Sequence, residues 1–152
     1  MNTSALEPIL SDLGQELGID GFALKDGDSV DLLLEEDLLI NLAREDDQSR
    51  IRITCELGNW PNLGDEFLRL LLKSNDPDST SSITMAMRAG DDSLMAVTCV
   101  SYADLTLDAL RQGLTNMIAS CQAWARLLSE GVGTSPADSA EDNPSTQAGL
   151  RV

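Results

Sequence analysis

The chain has 152 residues, of which 26 are acidic, 10 are basic and none is histidine, so its formal net charge is -16 at pH 7. A charge of this sign repels nucleic acid and anionic membranes and attracts basic polypeptides. The absence of histidine removes Ser-His and Cys-His nucleophile pairs, and no G-x-S-x-G or P-loop pattern is present. Composition and motifs therefore favour a protein-binding module over an enzyme.

Length and cysteine content indicate one reduced, cytoplasmic domain. A chain of this length buries about two thirds of the surface that it exposes when unfolded, which suffices for one core. Cys55, Cys99 and Cys121 are an odd number without metal-ligand spacing, and we expect them to be buried small hydrophobes. No signal-peptide pattern precedes Ser4, and no apolar run approaches the roughly 20 residues that span a bilayer. We assign no catalytic residue, metal or cofactor, and we expect no membrane partner.

The first predicted element is a helix. Ser4 and Glu7 form a capping box, and Gly18 ends the segment. Between them, apolar residues recur at intervals of three and four. Three residues of this apolar stripe are candidates for a wall of a peptide-binding groove: Leu6, Leu10 and Leu13. Packing of the same stripe into the core is the alternative.

Three strand-like runs follow, at 29–34, 38–43 and 50–57, separated by acidic or polar turns. The third run alternates apolar and polar residues, which is typical of a sheet with one buried face. The first two runs supply apolar side chains to both faces of a hairpin, so one face needs further cover. Candidate peptide-binding residues in this hairpin are Leu32, Leu34, Leu38, Ile40 and Leu42. Cover by a helix of the same domain is the alternative.

A short helix is predicted from a cap at Asn62 to about Ser74. Apolar residues occupy more than half of its girth, which in a small domain indicates a subunit contact. The residues assigned to a homodimer interface are Leu63, Phe67, Leu70 and Leu71.

A second hairpin and a long helix complete the predicted domain. The hairpin has arms at 82–88 and 94–102, and Thr106 caps a helix that continues to Leu128. The residues that follow lack periodicity and are rich in Gly, Ser, Pro and Asp, so we predict a domain of residues 1–129 and a disordered tail of residues 130–152. Acidic pairs at 26–28 and 91–92 are interpreted as turns, because neither continues into a calcium loop.

The predicted fold is α+β, with an antiparallel sheet of about five strands and three helices in the order α-β-β-β-α-β-β-α. This order, the acidity and the long last helix resemble the class I chaperones of bacterial type III secretion systems, over about Leu6 to Leu128. The segments Leu105–Asp108, Trp124–Leu128 and Gly149–Val152 are most similar to the ExsC-type regulatory chaperones. The insertion at 130–147 is a departure from that pattern.

The resemblance implies a cytoplasmic bacterial homodimer that holds the extended amino-terminal segment of a secreted effector or small secreted regulator. Exposed apolar surface and strand edges give such a segment a physical means of docking. The alternative implied by the ExsC-type segments is a partner-switching protein that sequesters an anti-activator of secretion-gene transcription. A third possibility, an acidic enzyme or metal protein, has no nominated residues.

Overall fold

A computed structural model describes residues 5–34 and 38–131. Within these ranges the chain forms three helices, α1 (Leu6–Glu16), α2 (Asp65–Ser74) and α3 (Leu107–Ser129). It also forms five strands, β1 (Ser29–Leu34), β2 (Leu38–Glu45), β3 (Arg50–Asn59), β4 (Thr84–Met87) and β5 (Ser93–Ser101). The chain order is α1-β1-β2-β3-α2-β4-β5-α3, which confirms the predicted α+β class and element order.

The described strands form one antiparallel sheet in the order β1-β2-β3-β5-β4. β1 and β2 pair as a hairpin that sets Leu33 opposite Leu39 and Leu32 opposite Ile40. β3 lies at the centre of the sheet between β2 and β5. Consequently β1 and β4 are the two edge strands of the sheet that the structure describes.

One face of the sheet carries the core. On β3, Ile51, Ile53 and Cys55 are fully buried, whereas Arg52 and Thr54 between them are half-buried, as the period of two predicts. α3 packs across β3 and β5 on this face, and α1 packs beside α3. The opposite face, which we call the open face, therefore has no cover from α1 or α3.

α1 lies close to the segment that leads into β1. A Cβ atom added at Gly14 would lie only 2.2 Å from the Cβ atom of Phe22. Glycine at this position therefore lets the Phe22 ring pack directly on the α1 backbone. At the end of α1, Glu16 accepts a hydrogen bond from Arg111 Nε of α3 at 3.2 Å, which joins the two helices.

α3 follows its predicted pattern closely. Thr106 caps it, because its Oγ1 accepts a hydrogen bond from the Ala109 amide at 3.0 Å. The predicted stripe faces the sheet, with Leu107 half-buried and the others buried. These others are Leu110, Leu114, Met117, Cys121, Trp124 and Leu128.

α2 packs against the end of α3. Phe67 is fully buried, and its ring meets the Trp124 ring edge-on, with centroids 5.5 Å apart and planes at 74°. The predicted cap at Asn62 is wrong. Leu63 makes an isolated β-bridge and Gly64 has an extended backbone, with φ of -72° and ψ of 158°, so the helix begins only after Gly64.

Other predicted details differ from the structure in small ways. β2 and β3 each extend two residues beyond their predicted ends, and β4 begins at Thr84 rather than at Ser82. Cys55 and Cys121 are buried as expected, but Cys99 is exposed, so that part of the prediction is wrong. Ser4, and the predicted tail from residue 132 onward, lie outside the described residues.

We predict that Phe67→Ala lowers the free energy of unfolding by about 3–5 kcal/mol, because it leaves a cavity against Trp124. Urea unfolding followed by circular dichroism measures this change. Leu33→Ala is the control, because Leu33 is 71% exposed and its truncation is expected to change the free energy by less than about 0.5 kcal/mol. Equal losses in the two variants would contradict the packing described here.

Candidate partner-binding edge and sheet face

Two leucines lie exposed on the open face of the sheet. Leu33 of β1 is 71% exposed and Leu39 of β2 is 45% exposed, and the two are cross-strand partners. Their neighbours Leu32 and Ile40 point to the opposite, buried face. Leu33 and Leu39 therefore form a small apolar surface, the Leu33–Leu39 patch, which the described residues leave in solvent.

The patch continues into a shallow concavity on the open face. Its volume is about 520 Å³, and Leu39 forms its border with the patch. The remaining lining is mostly polar and comprises Asp31, Asn41, Arg52, Thr54, Glu56, Arg88 and Met95. Asn41 Nδ2 donates to Asp31 Oδ1 at 2.7 Å, and Arg88 is paired with Glu56 at 3.1 Å. The open face thus offers apolar contact at one end and hydrogen-bonding groups across its middle.

The outer edge of β1 has unpaired backbone groups. The Arg44 amide donates to the Asp28 carbonyl at 2.9 Å, just before the β1–β2 ladder begins. In an antiparallel ladder every second residue bonds to the neighbouring strand, so this bond assigns Val30 and Leu32 to pairing with β2. Asp31 and Leu33 then direct their N–H and C=O groups outward, and no described strand meets them. β1 is therefore an open edge beside the Leu33–Leu39 patch.

The other edge of the sheet is blocked by a side chain at one residue of β4. Asn75, which follows α2, donates from Nδ2 to the Met85 carbonyl and accepts from the Met85 amide at Oδ1, both at 2.8 Å. These two bonds imitate the pairing that a neighbouring strand would make with β4. Because β4 is blocked at Met85 and no described group blocks β1, β1 is the more open edge for an added strand.

A buried arginine holds the segment that leads into β1. Arg44 is 7% exposed; its Nη1 donates to the Leu24 carbonyl at 2.8 Å, and its Nε and Nη2 donate to the Asp46 carboxylate at 2.8 Å. The Asp46 amide in turn donates to Asp26 Oδ1 at 3.1 Å. Because Arg44 and Asp46 both bind this segment, they fix where β1 begins.

Tyr102 completes this network from the end of β5. Its hydroxyl donates to Asp46 Oδ1. Hydrogen bonds from Arg44 and Tyr102 hold the pKa of Asp46 below its usual value. Burial, together with the bond to the Asp46 carboxylate, raises the pKa of Tyr102 to about 12.

The predicted peptide-binding residues are mostly in the core. Only Leu34 is half-buried; the other seven are at most 8% exposed. These seven are Leu6, Leu10, Leu13, Leu32, Leu38, Ile40 and Leu42. The buried residues of α1, which packs beside α3, and those of β1 and β2 belong to one core cluster, so in this conformation they contact the chain itself. Surface for a partner is instead offered by Leu33 and Leu39.

The residues predicted for the dimer interface are also partly buried and partly exposed. Phe67 and Leu71 are buried in the core and Leu63 is half-buried, whereas Leu70 is 36% exposed. The outward side of α2 also carries Leu68 and Leu72, exposed at 37% and 74%. Packing on Trp124 uses the Phe67 and Leu71 side of the helix, so any contact with another molecule falls to Leu68, Leu70 and Leu72.

The sequence contains a signal that identifies Leu33 and Leu39. Each of the two strands has one polar residue near its middle, Asp31 in β1 and Asn41 in β2. Leu33 lies two residues after Asp31, and Leu39 lies two residues before Asn41, so strand alternation places all four on one face. The polar pair indicates which face is in contact with water, and the leucines beside it are the residues exposed there.

The described residues contain no group of three or more His, Cys, Asp or Glu side chains that could hold a metal. The acidic pairs form turns, as interpreted: Asp28 Oδ2 accepts from the Lys25 amide at 3.0 Å, and Asp91 Oδ1 accepts from the Ser93 amide at 3.1 Å. None of the described helices is long and apolar enough to cross a membrane.

Comparison with known proteins assigns this arrangement to a family. Residues 8–125 match the sequence profile of the Tir chaperone protein (CesT) family. The chain belongs to this family. The match covers every described strand and both edges of the sheet, which confirms the resemblance to the type III secretion chaperones. No curated protein matches the sequence significantly.

Solved structures share the CesT-family fold at low sequence identity. A chain in the crystal structure of the ExsC–ExsE complex is 20% identical, with a TM-score of 0.72 over 84% of this chain and 96% of that one. A chain of the ExoU–SpcU heterodimer from Pseudomonas aeruginosa is 18% identical, with a TM-score of 0.62 over 80% and 95%. A chain of the Yersinia pestis SycH complex with a YscM2 fragment is 16% identical, with a TM-score of 0.62 over 77% and 97%.

We predict that the native protein shows an absorbance titration at 295 nm with a midpoint near pH 12, because Tyr102 is the one tyrosine in the chain and its pKa is raised to about 12. In urea the midpoint is expected near pH 10, the usual value for tyrosine. Since the pKa is higher in the folded state, Tyr102 stabilises the fold below about pH 10, and this contribution is lost as the pH rises towards 12.

Asp46→Asn is the matched variant for this titration. It removes the carboxylate but leaves the burial, so the native midpoint should fall while staying above that in urea. Circular dichroism at each pH confirms that the chain is folded. A native midpoint near pH 10 in the unmodified, folded protein would contradict both the burial of the Tyr102 hydroxyl and its bond to Asp46.

Proposed function

We propose that this chain is a type III secretion chaperone that binds the extended amino-terminal segment of a secreted effector or regulator. It keeps that segment competent for secretion in the bacterial cytoplasm. The observation that carries the proposal is the open β1 edge beside the exposed Leu33–Leu39 patch, in a chain of the Tir chaperone family. Related folds have been solved as complexes with ExsE and with a YscM2 fragment.

Strand addition gives the segment a defined way to bind. A partner strand beside β1 can pair with the outward N–H and C=O groups of Asp31 and Leu33, which supplies affinity without regard to sequence. Its side chains alternate between the two faces of the sheet. Those on the open face lie next to Leu33, so an apolar residue there removes both side chains from water. Because every second side chain of the partner strand lies on the open face, we expect a preference for an apolar residue at the position next to Leu33.

Charge adds a preference for basic segments. Asp26, Asp28 and Asp31 lie in or just before β1, and the whole chain has a formal net charge of -16. Opposite charge on the partner raises the rate of association more than the final affinity, and salt screens it over about 10 Å at 0.1 M ionic strength. Binding is therefore expected to be faster at low salt.

The β1 edge alone is too small to hold a segment that is disordered when free. Ordering such a segment costs on the order of 2–5 kcal/mol, and useful complexes of this kind bury about 1,000–3,000 Å². A second groove, of about 370 Å³, lies between α1 and residues 21–25, and it is lined in part by Leu10, Phe22 and Leu24. A segment that continues from β1 along this groove or over the open face buries more area than the β1 edge offers alone.

A second function has support from one comparison. The ExsC-type resemblance, and the structural match to a chain of the ExsC–ExsE complex, favour a role in which an anti-activator of transcription competes with the secreted partner. If one surface serves both, addition of the secreted segment releases the regulator in a titration followed by size-exclusion chromatography. Simultaneous binding of both would reject partner switching and leave the chaperone role intact.

We predict that the double variant Leu33→Ser/Leu39→Ser weakens partner binding by roughly a hundredfold or more, because each lost leucine contact contributes about 1.5–3 kcal/mol when fully buried. The partner is first identified by co-purification from the bacterial host and mass spectrometry. Its amino-terminal segment is then titrated by isothermal calorimetry against the purified chain.

Leu33→Ile/Leu39→Ile is the matched control, since it keeps the apolar area and the strand propensity. It should bind within about threefold of the unmodified protein, and all three proteins should unfold at similar urea concentrations because both positions are exposed. Unchanged binding by the serine variant would refute docking at this patch.

A further inference from the structure

The last turn of α3 lies close to the β1 edge. Ser129, in that turn, and Leu38, at the start of β2, border one concavity of about 430 Å³. Leu38 is the cross-strand partner of Leu34, the last residue of β1. Leu33 precedes Leu34, so the spacing of strands and residues places it within about 10 Å of Leu38. Residues 132–152 therefore begin near the edge proposed for a partner strand.

A glycine ends α3 at this point. Gly131 has a left-handed backbone, with φ of 82°, and its amide donates to the Leu128 carbonyl at 3.2 Å. A left-handed glycine with a bond of this kind is a common helix stop. The chain therefore leaves α3 beside β2 rather than at a point further along the helix axis.

Residues 132–152 are mostly small or polar. Apart from Val132 at their start, their large apolar residues are Leu150 and Val152. Arg151, between these two, is the one base of a segment that also contains three acids. Residues 150–152, which we call the tip, therefore combine apolar and basic character.

The tip has the composition that the β1 edge is expected to prefer in a partner strand. Leu150 and Val152 are two residues apart, so both side chains lie on one face of an extended strand. On the open face they cover Leu33, which is 71% exposed. Arg151 has the opposite charge to the three aspartates in or just before β1, which favours its approach to this edge.

Resting on the proposed role of the β1 edge, we propose that the tip is an internal occupant of that edge. It pairs with the outward N–H and C=O groups of Asp31 and Leu33 until a partner segment displaces it. An occupied edge is protected from pairing with other chains. It also raises the threshold for a partner, because the apparent Kd equals the intrinsic Kd divided by the fraction of molecules whose edge is open.

The covalent link makes a weak contact sufficient. Residues 132–149 reach about 60 Å when extended, and a flexible coil of that length averages about 25 Å from end to end. Links of this kind give a local concentration in the millimolar range. A tip with a Kd of about 1 mM is then bound in about half of the molecules, and a partner with a micromolar Kd displaces it.

The test is amide hydrogen exchange at β1 in the full chain, followed by NMR. In the double variant Leu150→Asp/Val152→Asp, the outward amides of Asp31 and Leu33 are expected to exchange about twofold faster or more, because the tip no longer covers them. The aspartates remove the apolar contact with Leu33 and place like charges beside Asp31.

Two comparisons control for charge and for the stability of the sheet. Ala137→Asp/Ala140→Asp adds the same charge to the same segment outside the tip, and at 0.15 M salt it is expected to change exchange at Asp31 by less than about 1.3-fold. The amides of Val30 and Leu32 pair with β2 and should exchange at unchanged rates in both variants.

A peptide added in trans tests the contact directly. The synthetic peptide of residues 145–152 is titrated into the Leu150→Asp/Val152→Asp variant, and the amide resonances of Asp31 and Leu33 are expected to shift with a Kd in the millimolar range. In the unmodified chain the apparent Kd should be about twofold higher, because the tip competes. The same peptide with aspartate at both apolar positions is the control and should shift neither resonance.

Three results would overturn occupancy of the edge by the tip. These are equal exchange at Asp31 and Leu33 in the unmodified chain and the tip variant, equal acceleration by Ala137→Asp/Ala140→Asp, and a peptide that shifts neither resonance. None of these measurements uses a secreted partner. The chaperone function is rejected separately, by unchanged partner binding in the Leu33→Ser/Leu39→Ser variant.

Discussion

The structure depends on a mismatch between a two-faced sheet and a single layer of helices. A sheet must cover its apolar face or expose it. Here α3 lies over the buried residues of β3 and β5, and α1 packs beside α3. The opposite face is accordingly polar over most of its area, from Asn41 to Thr54 and Glu56. Leu33 and Leu39 depart from that rule. They lie beside an unpaired edge strand, which is where an incoming polypeptide can cover them.

Much of the architecture follows from local signals in the sequence. The bounds of β1 and the cap at Thr106 are where the pattern predicts them. A strand bounded by polar turns and a helix with a threonine cap each carry enough information within a few residues to be recognised. The start of α2 cannot be recognised from local sequence in this way. The β-bridge at Leu63 is a tertiary contact, and the helix begins only after Gly64. No local preference of Asn62 reveals that contact.

The site was harder to predict than the fold, for a physical reason. A stripe of leucines looks the same whether it packs inward or binds a partner, and the pattern in β1 and β2 gave both faces apolar residues. The polar residues Asp31 and Asn41, which are hydrogen-bonded to each other, show which face of β1 and β2 is exposed to water. This signal is useful only if the two residues are treated as markers of that exposed face. In α2, the direction of Phe67 is set by the Trp124 ring, about 57 positions along the chain. Sequence spacing within α2 contains no information about that distant ring.

The clamp of Asn75 on Met85 has a consequence for solubility. A sheet with two open edge strands can pair edge to edge, with β1 of one molecule beside β4 of the next. Such a head-to-tail contact can repeat without limit and form fibres. The Asn75 side chain occupies the outward groups of Met85 in the middle of β4, which hinders this repeat, while the β1 edge stays open. The β1 edge stays open for the added strand proposed above, while the β4 edge is less able to pair with a further copy of the chain.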